Sequence, residues 1–174
     1  AIENKNVNVE VIDVFTFPDF KEKYDIMSVP AMIINDKDIF FGQKNIDEVI
    51  DTATLTGAIM VALGDNVTGV FSNSDENYKK LEIAGKYWGE KYWQMPIFEE
   101  YRDIIKSDVA DLKNSAGRLA GSITAAKFLE EFVEGKPWMH LDIAGTAFSE
   151  KNGKYFKKGA TGQVVRTLYS YIKG

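Results

Sequence analysis

The chain has 174 residues, 45% of them hydrophobic and 27% charged, which is enough apolar material for a packed core. Its net charge of −5 provides no basic surface for nucleic acid, and no apolar run approaches the length of a membrane span. The absence of cysteine excludes disulfides, thiolate metal sites and dithiol redox chemistry carried by this chain. We therefore expect a globular cytoplasmic protein with no nucleic-acid or membrane partner.

The first 50 residues predict a strand, a helix, a hairpin and a second helix, in that order. The valine-rich residues 7–14 suit a buried strand, and residues 18–24 suit a short helix with Thr16 as its cap. Apolar runs at 31–34 and 39–41 are joined by polar residues, which is typical of a hairpin. The following helical spacing is carried by Ile46, Val49 and Ile50.

This order, with Met-Ser-Val-Pro-Ala at residues 27–31 just before a strand, is similar to the second half of thioredoxin and glutaredoxin-like proteins. The resemblance implies a cis bond before Pro30; the alternative is a trans proline entering a strand. The first strand, the Cys-x-x-Cys turn and the long first helix of that family are missing. We therefore expect residues 1–51 to be a fragment of such a domain, without redox activity and unable to close a core alone.

The remaining residues predict helices and strands in alternation. Ser74 is a suitable cap for the first of the amphipathic helices, and the third should turn Phe128 and Phe132 inward. The helices are expected over residues 76–93, from Pro96 through Ile105, over 124–133 and over 164–172, with a strand over 138–144. This alternation predicts an α/β fold with a mostly parallel sheet flanked by helices.

Six segments of this second part resemble, in order and spacing, signature stretches of the leucyl aminopeptidase family, which are two-metal peptidases that remove N-terminal residues from peptides. The segments are Thr-Ala-Thr-Leu-Thr-Gly-Ala at 52–58, Gly-Val-Phe-Ser-Asn at 69–73, Lys-Ser-Asp-Val-Ala-Asp-Leu-Lys-Asn at 106–114, Gly-Ser-Ile-Thr-Ala-Ala at 121–126, Trp-Met-His-Leu-Asp-Ile-Ala-Gly-Thr at 138–146 and Lys-Gly-Ala-Thr-Gly at 158–162. The resemblance covers about residues 49–174 and predicts a second domain over 52–174.

The resemblance also implies which residues would contact substrate. Thr54, Leu55 and Gly57 would line the site through backbone carbonyls and a tight turn, and Ala144 with Ala147 would wall the side-chain pocket. Without metal ions, we interpret these residues as packing and turn residues, a vestige of a binding site.

The metal ligands of the family are not found in this sequence. The family holds two divalent ions, zinc or manganese, with carboxylates and a lysine that precede the Ala-Thr-Leu-Thr-Gly segment, where this chain has its thioredoxin-like part. Asp36 and Asp38 are the nearest paired carboxylates there, and we interpret them as a hairpin turn. We therefore expect no cofactor and no catalytic residue in this chain, and a peptide substrate only if the metal site is completed elsewhere.

Other residues that could carry chemistry have simpler interpretations. His140 is the only histidine and lies in an apolar strand, which favours a structural role. Asp108 and Asp111 suit a solvated loop, and Arg118 lies in a glycine-rich bend that lacks phosphate-loop spacing. The aromatic residues of the first long helix are interpreted as core or oligomer interface; they are Tyr87, Trp88, Tyr92 and Trp93.

The junction has conflicting predictions. Residues 49–51 would end a helix in the thioredoxin-like parent and a strand in the aminopeptidase parent. We predict the strand, because Val49 and Ile50 are β-branched and the larger fragment can bury more surface.

Three origins stay open from the sequence. The chain is a natural or engineered chimera with a structural role, an aminopeptidase-derived subunit that is active only with a partner chain, or a sequence that joins parts of two different molecules. Because aminopeptidases of this family form hexamers, the resemblance also implies self-association through former interfaces.

Overall fold

A computed structural model describes residues 31–34, 38–41, 48–153 and 157–173, together with Asp19 and Lys23. The chain divides into two units, residues 1–46 and residues 47–174. Within the described residues, no helix combines the length and the apolar character that crossing a bilayer requires.

The first unit contains the predicted hairpin. Strands β1 (Ala31–Ile34) and β2 (Asp38–Phe41) pair antiparallel, with Ile34 opposite Asp38. Asp19 and Lys23 are helical, in agreement with the helix predicted around them. The strand over 7–14, the bond before Pro30 and Asp36 lie outside the described residues.

The second unit alternates strands and helices as the sequence predicts. Its strands are β3 (Val49–Ala53), β4 (Thr68–Ser72), β5 (Tyr92–Gln94), β6 (Trp138–Asp142), β7 (Phe148–Ser149) and β8 (Gly159–Ala160). Its helices are α1 (Gly57–Leu63), α2 (Asp75–Trp88), α3 (Glu100–Ile105), α4 (Gly121–Glu130) and α5 (Val165–Lys173). The strand predicted at the junction is confirmed, because Val49 and Ile50 open β3.

Four strands form the main sheet in the order β3-β6-β4-β5. The pairs β3-β6 and β4-β5 are parallel, and the central pair β4-β6 is antiparallel. The expected α/β fold with a mostly parallel sheet is therefore confirmed. Strands β7 and β8 form a separate antiparallel pair.

The sheet separates two hydrophobic clusters. Alternate residues of β4 and β6 point to opposite faces, so Phe71 and Trp138 enter one cluster while Val70 and Met139 enter the other. The first cluster receives residues of α1 and α4, and the second receives residues of α2 and α5. Helices on both faces thus bury the two central strands completely.

Two helix boundaries differ from the prediction for local reasons. Helix α2 begins after the predicted cap Ser74 but ends at Trp88, because Gly89 takes a left-handed φ of 71° and its N–H bonds to the last turn. Tyr92 and Trp93 therefore lie in β5 rather than in the helix. The helix expected from Pro96 begins only at residue 100.

The predicted inward orientation of Phe132 is wrong. Helix α4 begins three residues earlier than predicted, at Gly121, and ends at Glu130. Since Phe132 lies beyond the last turn, helical spacing no longer sets its direction, and it is 67% exposed.

Candidate functional site

The predicted substrate-contacting residues follow two neighbouring parallel strands. Thr54, Leu55 and Gly57 come after β3, and Ala144 and Ala147 come after β6. Because β3 and β6 are parallel, their carboxyl ends lie at the same edge of the sheet. The structure therefore brings both groups of residues to one place, which we call the carboxyl end of the β3-β6 pair.

The carboxylate of Asp142 holds this carboxyl end together. Asp142 is the last residue of β6 and is 1% exposed. Its Oδ1 accepts hydrogen bonds from the backbone N–H groups of Leu55 (3.1 Å), Ala144 (3.2 Å) and Thr56 (3.5 Å), and its Oδ2 accepts one from the Thr56 hydroxyl (2.7 Å). Because bonds to an ionised acceptor are strong, Asp142 fixes the loop after β3 to the loop after β6. We call this arrangement the Asp142 clamp.

Thr56 links the clamp to helix α1. Its hydroxyl oxygen also accepts the N–H of Ile59 at 3.1 Å, which caps the first turn of α1. Our sequence analysis did not single out Asp142 or Thr56. The available signal was an aspartate at the end of an apolar, buried strand, because such a carboxylate must find donors in the folded chain.

A cavity of about 340 Å³ opens beside the loop after β3. Leu55 and Gly57 form one wall, and the opposite side comes from the loop between α3 and α4 and from the start of α4. That side includes Lys113, Ser115, Gly117 and Thr124. Two of the five predicted residues therefore border a space that could hold a small ligand.

The other three predicted residues do not line this cavity. Thr54 is exposed, and Ala144 and Ala147 are half-buried in the loop after β6. That loop packs closely against the end of α1, since a Cβ atom on Gly145 would overlap the carbonyl oxygen of Gly64. The predicted pocket wall at Ala144 and Ala147 stays a prediction.

His140 belongs to a buried polar group in the middle of the sheet. Its Nδ1 shares a short hydrogen bond with the Asp51 carboxylate, which also accepts the indole N–H of Trp138 at 2.7 Å. The imidazole is completely buried and stacks between the rings of Phe71 and Trp138, with centroids 5.9 and 6.4 Å away. These contacts agree with the structural role predicted for His140.

The polar loop residues remain at the surface. Asp108, Asp111 and Arg118 are all exposed, and Ser107 orders the loop by accepting the N–H groups of the residues two and three positions later. Within the described ranges, no three or more His, Asp or Glu side chains group in a way that could hold a metal ion.

Two family models match the chain. The model described as cytosol aminopeptidase family, catalytic domain, matches residues 31–169, and a thioredoxin domain model matches residues 1–52. Both resemblances seen in the sequence are confirmed by these matches. Since the matches overlap at residues 31–52, the domain boundary predicted between residues 51 and 52 stays a prediction.

Individual relatives give the same result. A probable cytosol aminopeptidase of Fusobacterium nucleatum subsp. nucleatum is 56% identical over 132 residues, which is 75% of this chain and 28% of the relative. A mutant of tomato leucine aminopeptidase superposes with a TM-score of 0.68 at 44% identity, over 72% of this chain and 24% of that one. The bottromycin maturation enzyme BotP in complex with Mn gives 0.72 at 36% identity, over 76% and 30%. The chain therefore spans less than a third of the length of these relatives.

Proposed function

The chain belongs to the cytosol aminopeptidase family, and from this premise we propose that residues 49–174 are the substrate-side part of an aminopeptidase catalytic domain. In this proposal Leu55 and Gly57 face a peptide, as the resemblance implies. Hydrolysis then needs metal ligands that the family places earlier in its sequence, so the chain does not hydrolyse peptides by itself.

The Asp142 clamp is the observation that carries the proposal. It joins the loops after β3 and β6 through bonds between residues of this chain alone. The wall of the cavity that contains Leu55 and Gly57 is therefore fixed by contacts that need no metal ion and no other polypeptide. This supports a preserved binding wall, whatever supplies the reaction chemistry.

The carboxylates of Asp142 and Asp51 do not fit a two-metal centre. Such a centre needs several carboxylates with free oxygens, and a manganese complex is known for the structural relative BotP. Here both oxygens of Asp142 accept N–H or O–H donors, and both oxygens of Asp51 are occupied by Trp138 and His140. We propose that these side chains fix the shape of the wall instead of binding ions.

A second candidate function is an aminopeptidase subunit whose metal site is completed by a partner chain. The preserved cavity favours it, because a partner that supplied metal ligands would find Leu55 and Gly57 already in place. In that case peptides are the substrate class.

We also propose that the chain is a cytoplasmic fusion of two domain fragments. The matches to two unrelated family models, one over residues 1–52 and the other over residues 31–169, support the fusion, and the cytosolic designation of the relatives supports the location. Intact-mass measurement tests continuity: a single polypeptide should have a mass near 19.6 kDa. A heavier species would contradict the proposal that this sequence is one continuous polypeptide.

Activity and metal titration test the main proposal together. The purified chain is assayed with a leucine anilide in the presence of manganese or zinc, with the Fusobacterium aminopeptidase as positive control. We expect no turnover above the metal-containing buffer, and calorimetric titration without tight binding of two ions per chain. Turnover that follows the chain through purification and disappears with a chelator would overturn the proposal.

A mixing experiment separates the second candidate from the first. The part of the Fusobacterium enzyme that precedes its matched region is added to the chain, with each fragment alone as control. Chelator-sensitive turnover in the mixture only would support the subunit. Inactivity of the mixture, although both fragments are folded, would favour the binding wall without catalysis.

A further inference from the structure

Two hydroxyl groups that border the cavity beside the loop after β3 already have partners within the fold. The Thr56 hydroxyl donates to Asp142 and accepts the N–H of Ile59. Thr124, near the start of α4, donates its hydroxyl to Gly121 O at 3.3 Å. Both hydroxyls therefore hold the chain together and are poorly placed to distinguish one ligand from another.

The loop between α3 and α4, residues 106–120, contributes polar groups of a different kind. Its residues Lys113, Asn114 and Ser115 line the cavity, and their side chains form no hydrogen bond or ion pair with any residue that the structure describes. An ammonium, a carboxamide and a hydroxyl can all donate hydrogen bonds. This side of the cavity therefore offers donors to a ligand that the described chain leaves unused.

The charge of the cavity comes from one side chain. Among the described residues that line it, Lys113 is the only charged one, so no lining carboxylate neutralises the ammonium. The start of α4 borders the same cavity without a side-chain cap, and the helix dipole adds potential of the same sign there. The cavity is therefore positive, although the chain as a whole carries a net charge of −5.

Backbone hydrogen bonds fix the position of Lys113. Its N–H bonds to the carbonyl oxygen of Ile105, the last residue of α3, at 2.8 Å, and Ile105 is 1% exposed. Earlier in the loop, the Ser107 hydroxyl accepts the N–H groups of Val109 and Ala110. The backbone of Lys113 is thus anchored at the cavity, while its side chain is exposed and within reach of a ligand.

We propose that Lys113 selects peptides that place a carboxylate in this cavity. The inference rests on the proposed function, in which Leu55 and Gly57 face a peptide. A peptide that lies along that wall directs a neighbouring side chain or its C-terminus across the cavity, toward the loop that carries Lys113. An acidic side chain and a C-terminal carboxyl group present the same charged acceptor oxygens to a lysine, so both are ligands of this class.

The volume of the cavity limits the ligand to a short one. Pockets for small molecules usually measure about 300 to 1,000 Å³. With about 340 Å³, this cavity lies at the small end of that range. It therefore suits one or two residues of a peptide, and dipeptides are the appropriate probes.

The exposure of Lys113 limits the strength of the selection. Ion pairs of exposed side chains contribute little, so a carboxylate ligand should bind roughly two- to fivefold more tightly than its uncharged analogue at low ionic strength. Salt screens such pairs, and the ratio should approach one at ~0.5 M salt. A preference that did not change with salt would reflect the shape of the ligand and would contradict selection by charge.

Chemical-shift titration of the unmodified chain tests the selection. C-terminally amidated Leu-Asp is compared with amidated Leu-Asn, and free Leu-Leu is compared with amidated Leu-Leu. The first pair tests an acidic side chain, and the second pair tests a C-terminal carboxylate. The amide signals of Leu55, Gly57 and Gly117 are followed, and they should report tighter binding of the charged member in at least one pair.

The two ways in which this experiment can fail are distinguishable. Shifts at these amides with equal affinities in both pairs would overturn the role of Lys113 and leave the proposed binding wall intact. The absence of shifts with all four peptides would contradict the binding wall itself, and the selection with it.

Variants of Lys113 show whether its charge is responsible. Lys113→Gln should abolish the preference, Lys113→Arg should keep it, and Lys113→Glu should reverse it in favour of amidated Leu-Lys. Arg118→Gln is the matched control, because it removes an exposed positive charge of the same loop that does not line the cavity. If Arg118→Gln abolished the preference as completely as Lys113→Gln, the attraction would come from the loop as a whole, and Lys113 would not be the selecting group.

Discussion

The carboxyl end of the β3-β6 pair and the edge of β3 that faces away from β6 differ in how their polar groups are satisfied. At the carboxyl end, Asp142 accepts the donors of two loops, and Thr56 caps α1. At that edge, Ile50 and Thr52 direct their backbone groups away from β6, because Val49 and Ala53 bond toward it, and no described strand pairs with them. Side-chain acceptors therefore fix the loops at one end of the described sheet, whereas no described strand pairs with the outward groups of β3.

Replacing Asp142 should have the largest effect, because it removes the acceptor that joins the loops after β3 and β6. Asp142→Ala leaves the N–H groups of Leu55 and Ala144 and the hydroxyl of Thr56 without their acceptor, which should cost about 3 kcal/mol or more of unfolding free energy. Urea unfolding measures this loss. Asp142→Asn should cost less, since it keeps one acceptor oxygen.

The control for this variant is Asp108→Asn, at an exposed loop position, which should change stability by no more than about 0.5 kcal/mol. If Asp142→Ala were no more destabilising than this control, the clamp would not be what holds the two loops together.

Replacing Glu90, which bonds to residues at the start of α5, should have the next largest effect. The Glu90 side chain is 2% exposed and accepts the hydroxyls of Thr167 (2.6 Å) and Tyr92 (2.9 Å) and the N–H of Val164 (3.1 Å). Glu90→Gln turns one acceptor oxygen into a donor that faces other donors, so a loss of about 2 kcal/mol is expected in urea unfolding.

Because Glu90 accepts donors from Val164 and Thr167, this loss measures how far the carboxyl group anchors the start of α5. Glu134→Gln, at a side chain that is 82% exposed, is the matched control. If Glu90→Gln were as stable as this control, α5 would be positioned by apolar packing alone.

The sequence predicts the elements of this unit better than it predicts their ends. The β-branched residues Val49 and Ile50 predict β3, and Ser74 predicts the start of α2. The prediction places the end of α2 too late because Tyr92 fits the helical spacing of apolar residues beyond Gly89. In the structure Tyr92 is buried, but it lies in strand β5. A periodic pattern cannot distinguish these two ways of burying one side chain.

The candidate site is predicted only in part, for a different reason. Leu55 and Gly57 are found by resemblance, and they border a cavity. The Asp142 clamp joins residues 86 and 87 positions apart, and the anchor at Glu90 joins residues 74 and 77 positions apart. Local patterns carry no information about such pairs, because the sheet order that creates them is set by the packing of the whole unit.

Thr56→Val removes a single hydroxyl group from the Asp142 clamp and should have a moderate effect. The change removes the N-cap of α1 and the donor to Asp142, with an expected loss of about 1 to 2 kcal/mol in urea unfolding. Thr56→Ser keeps both bonds and should retain most of the stability. If the serine variant were as unstable as the valine variant, the methyl group and not the hydroxyl would be responsible.

The smallest effect concerns Tyr92 and Tyr171, which pack in the same hydrophobic cluster, and it appears only at alkaline pH. Burial, followed by the nearby Glu90 carboxylate, raises the pKa of Tyr92 despite a hydrogen bond with Thr167 that lowers it. Burial, followed by the hydrogen bond to Glu48, raises the pKa of Tyr171. The folded chain therefore keeps phenol protons that the unfolded chain releases.

This stabilisation is complete below the ordinary tyrosine pKa of about 10 and is lost as the pH rises above it, by at most about 1.4 kcal/mol per pH unit for each tyrosine. Several lysines also titrate in this range, so the informative quantity is the difference between each Tyr→Phe variant and the parent chain. In urea unfolding at several alkaline pH values, Tyr92→Phe and Tyr171→Phe should flatten the decline, whereas Tyr87→Phe at an exposed position should not. Equal slopes for all three variants would mean that neither buried phenol holds its proton more tightly in the folded chain.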